Sequence, residues 1–450
     1  MSDAQTTLSW RPWASLSEAD VRAVTRGRTA RAHPLHSELF GEMSTLMERI
    51  RTGGDEAVRA VTLDFDGVAL EGPLLRDVDM LRTQYGHALP DDLRDALDLG
   101  VERVRAYNSL LAERSRDYLV AFGPDRMGQL TRPLDSAALF VPAGKGSFPS
   151  VLIHVGGPAV EAGVANLVVA SPPDKRWGPE HGYVDPATVH IASRLGISHI
   201  LVANGPACIA AVTFGTETVP AVDMIAGPGS PAIETCQRIA AAAGLVVPAG
   251  LGPSDSLIVA QSGLDPEMLA ADFLSEAEHG SDSSAVLLSD DAALLDATLA
   301  AASRRLSELP QPRHGYARSA VARGGAYLVS DVEEALDVAN AYAPEHLLLL
   351  THDNDAALAL VRDAGTVLLG RHTPFVASSY TGGTPATLPT TGAARTASGV
   401  TATSFTKRIA VLELDATTMA AMAGRLELIA RHEGFPAHAE SARISREDGR

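Results

Sequence analysis

Apolar and polar positions fall into distinct textures along the chain. From about residue 35 to 117 the apolar residues recur at helical spacing, interrupted near GGDEAV (53–58) and LDFDGVAL (63–70). From about residue 137 short β-type runs alternate with helical windows. AALFVP, NLVVASPP, HILVANG and DMIAGPG read as strands, and the windows between them, such as VLIHVGGPAVEAG and DPATVHIASRLG, read as helices. A second series follows, with SLIVAQ, AVLLSD, AYLVSD, HLLLLTH and TVLLGRH as strands separated by helical stretches. Strands that alternate with helices imply βαβ units and parallel sheets. The fold expected is therefore α/β, with two Rossmann-like open parallel-sheet domains, a helical N-terminal region and a C-terminal tail.

The boundaries follow from the same texture: an N-terminal arm over 1–34, a first α/β domain from 35–136 with 250–400, a second over 137–249, and a helical tail over 401–450. The stretch 374–400 is rich in Thr, Gly, Ser and Pro, and connectors of that length in compact domains are commonly functional.

Composition narrows the function. A formal charge of −18 argues against a nucleic-acid partner, which would require clustered Lys and Arg. No apolar run approaches the roughly 18 residues of a membrane span, and no basic segment followed by an apolar core opens the chain, so a cytoplasmic protein with no membrane contact is expected. The two cysteines, Cys208 and Cys236, form no motif, in keeping with a reducing compartment. VPAGKGSFPS carries a Gly-Lys pair but not a Walker A loop, because Leu139 and Gly146 stand where a glycine and a Ser or Thr are required.

Two short stretches carry candidate chemistry. In FLSEAEHGSD, Asp265 and Pro266 predict a helix start, and Glu276 and His279 lie three apart near its end, along the border of an apolar stripe of Leu269, Phe273 and Ala277. On these residues alone a metal pair and a polar helix end are both open. In APEHL, Glu345 and His346 stand at a helix-to-strand junction, expected at the C-terminal end of the second βα series, where an acid/base pair would face a crevice.

These stretches, together with GGDEAV, LDFDG, AGPGS, GPSDS, LPTTGAARTASGVTATSFTKR and EGFPAH in this order, resemble histidinol dehydrogenase from about residue 35 to 440. The resemblance implies a zinc-containing, NAD-dependent dehydrogenase, with NADP not excluded, that oxidises an alcohol through an aldehyde to a carboxylate. It also implies a homodimer whose tail reaches the partner's site, and a cofactor on the 137–249 domain. It assigns Glu345 and His346 to acid/base catalysis, Ser254 and Glu433 to the substrate, and Glu276, His279 and His438 to the metal. On the cofactor side the corresponding positions are Phe140 and Ser230.

The match is imperfect. Glu276 replaces a glutamine ligand and Ser379 an aspartate, so one negative charge moves across the site while the total is kept. Pro385 and Ala386 replace an Asn-His pair, Ser230 an asparagine, Ala207 a glutamine and Phe140 a tyrosine, and GPSE reads GPSD. The reading expected is a divergent member acting on a related amino or hydroxy alcohol. An ordinary L-histidinol dehydrogenase and a non-catalytic paralogue are the alternatives, followed by a metal-dependent hydrolase or lyase.

Overall fold

The structure is a computed structural model that describes residues 8–25, 37–143, 146–248, 250 and 252–447. Part of the expected N-terminal arm and the Gly144-Lys145 pair lie outside the described residues. In chain order the strands are β1 (Trp10–Pro12), β2 (Leu75–Asp77), β3 (Tyr118–Phe122), β4 (Asp125–Pro133), β5 (Ser136–Phe140), β6 (Asn166–Ser171) and β7 (His199–Val202). They continue with β8 (Met224–Ala226), β9 (Asp255–Ala260), β10 (Ser284–Ser289), β11 (Gly325–Leu328), β12 (His346–Leu350), β13 (Thr366–Leu369) and β14 (Thr406–Glu413).

Two α/β sheets form, as the alternating texture predicts. One is six-stranded and parallel throughout, in the order β1-β11-β10-β9-β12-β13. Helices cover both of its faces, which is why β9, β10 and β12 are apolar nearly without interruption. The two-residue pleat is visible in β9: Ile258 joins the core on one face with Leu269 and Phe273, while Leu257 and Val259 join the core on the other with Leu336 and Tyr342.

The second sheet has the order β2-β7-β6-β5-β8, with β5 to β8 parallel and β2 antiparallel at the edge. The helices Glu38–Asp66 and Asp91–Arg114 send Met47, Ile50, Val61, Val101 and Val104 into the core of this sheet. The sequence boundaries placed 35–136 with the other domain; that assignment is corrected here, because a helical apolar stripe does not specify which sheet will cover it.

The interruption at GGDEAV is a corner within one long helical run. Gly54 adopts φ 55° and ψ −145°, and the helix resumes immediately after it. The Glu217 carboxylate accepts from the Asp55 backbone N–H at 2.7 Å and so serves as a cap for the resumed helix from 162 residues away. The remaining strands make an antiparallel sheet, β14-β4-β3, that extends toward the tail helices Ala416–His432 and Pro436–Glu447. No helix among the described residues is long and apolar enough to cross a membrane.

Candidate functional site

Asp265 accepts from the Glu267 N–H at 2.9 Å and Pro266 occupies the first turn, so the helix Pro266–Ser275 starts as the sequence predicts. Leu269, Phe273 and Ala277 are fully buried. Glu276 is the C-cap of this helix, and His279 ends the short 3-10 turn that follows. Their shared edge persists: His279 Nδ1 stands 3.7 Å from Glu276 Oε2, the imidazole half-exposed and the carboxylate only 3% exposed.

The APEHL pair stands at a helix-to-strand junction, as the sequence reading expected. The helix Val332–Tyr342 stops on Ala343, a non-glycine residue at φ 53°, and the chain enters β12 directly, with His346 as its first residue. Glu345 and His346 thus lie at the N-terminal edge of the six-stranded sheet, beside the starts of β9 and β13. The tight left-handed cap leaves only Pro344 and Glu345 between Ala343 and β12. Left-handed backbone at a non-glycine residue costs about 1 kcal/mol and is characteristic of functional sites.

At this edge, side chains from distant segments converge. His346 is 3% exposed, with Nδ1 4.0 Å from Glu276 Oε2 and 3.8 Å from Glu345 Oε2. Neither ring nitrogen has a hydrogen-bond partner among the described residues. The ring rests edge-on against Phe375. Burial lowers the pKa of the imidazole, Glu276 opposing and His279 reinforcing the shift, so a proton-accepting neutral form is favoured. Burial by itself would raise Glu276, but His279, His346 and the Ser379 hydroxyl together hold it below its usual value. That hydroxyl shares its one proton between Glu276 Oε1, at 3.4 Å, and the Phe375 carbonyl, at 3.2 Å.

Two residues that the sequence reading did not assign organise the pair. Asp255, fully buried, accepts from the Glu345 N–H at 2.7 Å through one oxygen and from the Thr391 N–H at 2.5 Å through the other, and its own N–H donates to Glu345 Oε2 at 3.1 Å. It thereby joins the catalytic candidates to the LPTTG loop, where Thr391 also sits at φ 53°. The 374–400 segment is therefore built into the site. His154, on the helix Pro149–Ala162 of the other sheet, donates from Nε2 to the Ser379 carbonyl at 3.1 Å, and burial lowers its pKa to about 4. The signals available in sequence were the Asp of GPSD and a lone His in an otherwise apolar helical window.

The other candidates are spread more widely. Ser254 is half-buried directly before β9, at the same edge. Phe140 ends β5 with its ring in the core and Ala207 is fully buried, so neither side chain lies open to a cleft. Ser230 is exposed at the N-terminus of the helix Pro231–Ala242, its hydroxyl making no cap hydrogen bond. Glu433 and His438 lie exposed on the tail. No three His, Cys, Asp or Glu side chains among the described residues group as a metal site. Within one chain the expected ligand set of Glu276, His279 and His438 is thus reduced to the first two, because His438 lies exposed on the last tail helix and does not group with them.

Those two donors fit a divalent cation as a half-site: a buried carboxylate held by a long hydrogen bond from Ser379, next to an imidazole with a solvent-facing side. The cofactor side fits an anionic group, since Ser230 precedes a twelve-residue helix whose N-terminal dipole end favours negative charge. Gly227, at φ 140°, also brings backbone so close that a Cβ would lie 2.1 Å from the Phe140 carbonyl.

Comparison with known proteins agrees with the family that the motifs suggested. The histidinol dehydrogenase family model matches residues 30–446. A histidinol dehydrogenase of Xanthomonas euvesicatoria is 35% identical over 430 residues, covering 95% of this chain and 97% of that one. One from Thermus thermophilus is 38% identical over 402 residues, covering 89% and 93%. The crystal structure of the Elizabethkingia anophelis histidinol dehydrogenase superposes with a TM-score of 0.88 at 28% identity, covering 99% of this chain and 98% of that one. The chain belongs to the histidinol dehydrogenase family of NAD-dependent oxidoreductases.

Proposed function

We propose that this protein oxidises the primary alcohol of L-histidinol through the aldehyde to the carboxylate, reducing two NAD per substrate. The observation that carries the reading is His346, a buried imidazole with both nitrogens unpartnered, set between the carboxylates of Glu276 and Glu345. A desolvated, neutral imidazole is an effective acceptor for an alcohol proton, and NAD supplies the hydride acceptor. In the second oxidation Glu345, held by Asp255, takes a proton from the water that adds to the aldehyde carbon. Glu276 and His279 would hold zinc, which would orient the substrate's nitrogen groups and so bring the alcohol carbon into line with the cofactor.

The third ligand, His438, would come from a second copy of the chain, with Glu433 beside it contacting substrate. Leu428, Phe435 and Ile444 on the tail, and Val120 and Phe122 on β3, are exposed apolar side chains that a homodimer would cover. The names of the relatives favour L-histidinol over the related alcohol expected from the sequence departures. That second reading keeps one observation in its favour: Pro385, where an Asn-His pair was expected to begin, is buried and can offer a substrate no hydrogen-bonding side chain.

The test is NADH production with L-histidinol and a panel of primary amino and hydroxy alcohols. Turnover of L-histidinol that His346→Ala abolishes, and that a mixture of His346→Ala and His438→Ala subunits partly restores, is the expected result. Turnover confined to another alcohol would replace the substrate. No redox turnover of any alcohol by zinc-loaded protein would overturn the proposal.

A further inference from the structure

The helix Phe375–Tyr380 packs against helices of both sheets and touches the site through two residues. Phe375 sets its ring against His346, and the Ser379 hydroxyl reaches Glu276 Oε1 at 3.4 Å. A helix of six residues is too short to hold itself, and the carbonyls of its last turn have no partner within it. Its position is therefore decided by what grips its ends. At the start it packs on the helix Pro266–Ser275, where the buried Asp272 carboxylate faces the Phe375 backbone N–H. At the end it lies against the helices of the five-stranded sheet: a Cβ on Gly100 would come within 2.9 Å of the Tyr380 carbonyl and 3.1 Å of the Ile153 side chain.

His154 supplies the remaining grip. It projects from the helix Pro149–Ala162, is 2% exposed, and its Nε2 stands 3.1 Å from the Ser379 carbonyl, 225 positions away in sequence. A carbonyl only accepts, so the proton is on Nε2. Burial lowers the pKa to about 4, so the ring is neutral and Nδ1 is a bare acceptor, with no partner among the described residues. Burying an unpartnered acceptor costs about 1 to 3 kcal/mol, which an apolar side chain in this otherwise apolar helix would avoid. The contribution that sets the imidazole apart is its one hydrogen bond, made to the residue whose hydroxyl meets Glu276.

Resting on the zinc reading above, we infer that His154 is a positioning residue for the metal half-site: by holding the Ser379 carbonyl from the five-stranded sheet it fixes the helix Phe375–Tyr380, and through that helix the Ser379 hydroxyl on Glu276. The hydroxyl engages Oε1, which leaves Oε2 beside His279, 3.7 Å from Nδ1. The bond also ties the two sheets together at the site, since His154 belongs to one and Glu276 to the other. Without it the short helix is free to shift, and the carboxylate loses the donor that sets its orientation. Partners that orient a ligand in this way govern metal affinity without touching the metal.

The test measures the zinc affinity of metal-stripped, full-length protein by competition with a chromophoric chelator, so the readout is independent of turnover. Wild type is expected to bind about one zinc per chain. His154→Leu, which fills the space but cannot donate, is expected to bind zinc about 10- to 100-fold more weakly. His154→Gln, whose amide can donate to the same carbonyl, is expected to stay within threefold of wild type, whereas a side chain that merely fills the core would tolerate Leu better than Gln. Zinc affinity in His154→Leu within threefold of wild type, or in His154→Gln as weak as in His154→Leu, would overturn this inference while leaving the zinc reading standing. If His154→Leu fails to fold, Gly100→Ala decides: inside the helix Asp91–Arg114 an alanine favours the fold, but its Cβ displaces Tyr380, and unchanged zinc affinity would then overturn the inference. Wild-type protein that binds no zinc would overturn both.

Discussion

Replacing Asp255 by Asn is the most informative perturbation of the site, because it changes one atom and keeps the volume. Asp255 is fully buried, and its two oxygens separately accept the backbone N–H groups of Glu345, at 2.7 Å, and Thr391, at 2.5 Å. An asparagine has one acceptor oxygen, so whichever way its amide turns, one buried N–H faces an NH2 group. A hydrogen bond to a charged group contributes about 1.5 to 3 kcal/mol, and the abandoned N–H adds a desolvation penalty, for a local loss of about 2 to 4 kcal/mol. That loss falls on a segment already under strain. Ala343 and Thr391 both hold φ of 53°, together about 2 kcal/mol above a relaxed backbone. The substitution therefore removes a restraint about as large as the strain it opposes, and the LPTTG loop should open.

Hydrogen exchange read by mass spectrometry tests this directly. At 1.4 kcal/mol per factor of ten, peptides spanning 343–347 and 388–393 should exchange about 30-fold to several hundred-fold faster in Asp255→Asn. Strands distant from the site, such as β6, should be unchanged. Turnover should fall mainly in kcat, because Glu345 loses its position while the cofactor sheet is untouched. Exchange rates in both peptides within threefold of wild type would refute the argument that Asp255 holds the strained edge together.

Two further outcomes follow from the structure. Gly54→Ala forces a side chain onto a φ of 55° and puts its Cβ 2.2 Å from the Glu217 carboxylate, displacing the cap of Asp55; thermal unfolding by circular dichroism should show a loss of about 2 kcal/mol, whereas Gly41→Ala, at a helical position with nothing within 4 Å, should gain about 0.5 to 1 kcal/mol. Cys208 and Cys236 are buried with thiols that burial pushes up, Cys236 to about 12, so an aromatic disulfide reagent should find no reactive thiol in the native protein and both after denaturation.

Periodicity located nearly every strand of the two α/β sheets, because strands covered on both faces must be apolar throughout and stand out from amphipathic helices. The cap of the helix before Glu276 was readable for a similar reason, since Asp-Pro satisfies the first amides from within four residues. The acid/base pair was legible as chemistry and as a helix-to-strand junction. Nothing local in APEHL announces that Ala343 will turn left-handed. The long-range partners were not legible at all: Glu217 on Asp55, Asp255 on Thr391 and His154 on Ser379 link residues between 136 and 225 positions apart.

What the sequence determined by itself was what each segment would become and which side chains could do chemistry, since both depend on neighbours within a few residues. Motif order was enough to identify the family. Only the tertiary structure decided which sheet the helices of 38–114 would cover, which strand edge would carry the site, and which buried groups would meet there. It also decided that Glu276 and His279 stand together while His438 lies exposed on the tail, so that one chain supplies two donors where the sequence suggested three. The physical reason is the same in each case. A carboxylate or imidazole acquires its protonation preference and its partners from desolvation and from charges within a few ångströms, and those charges come from segments the chain separates by a hundred residues or more.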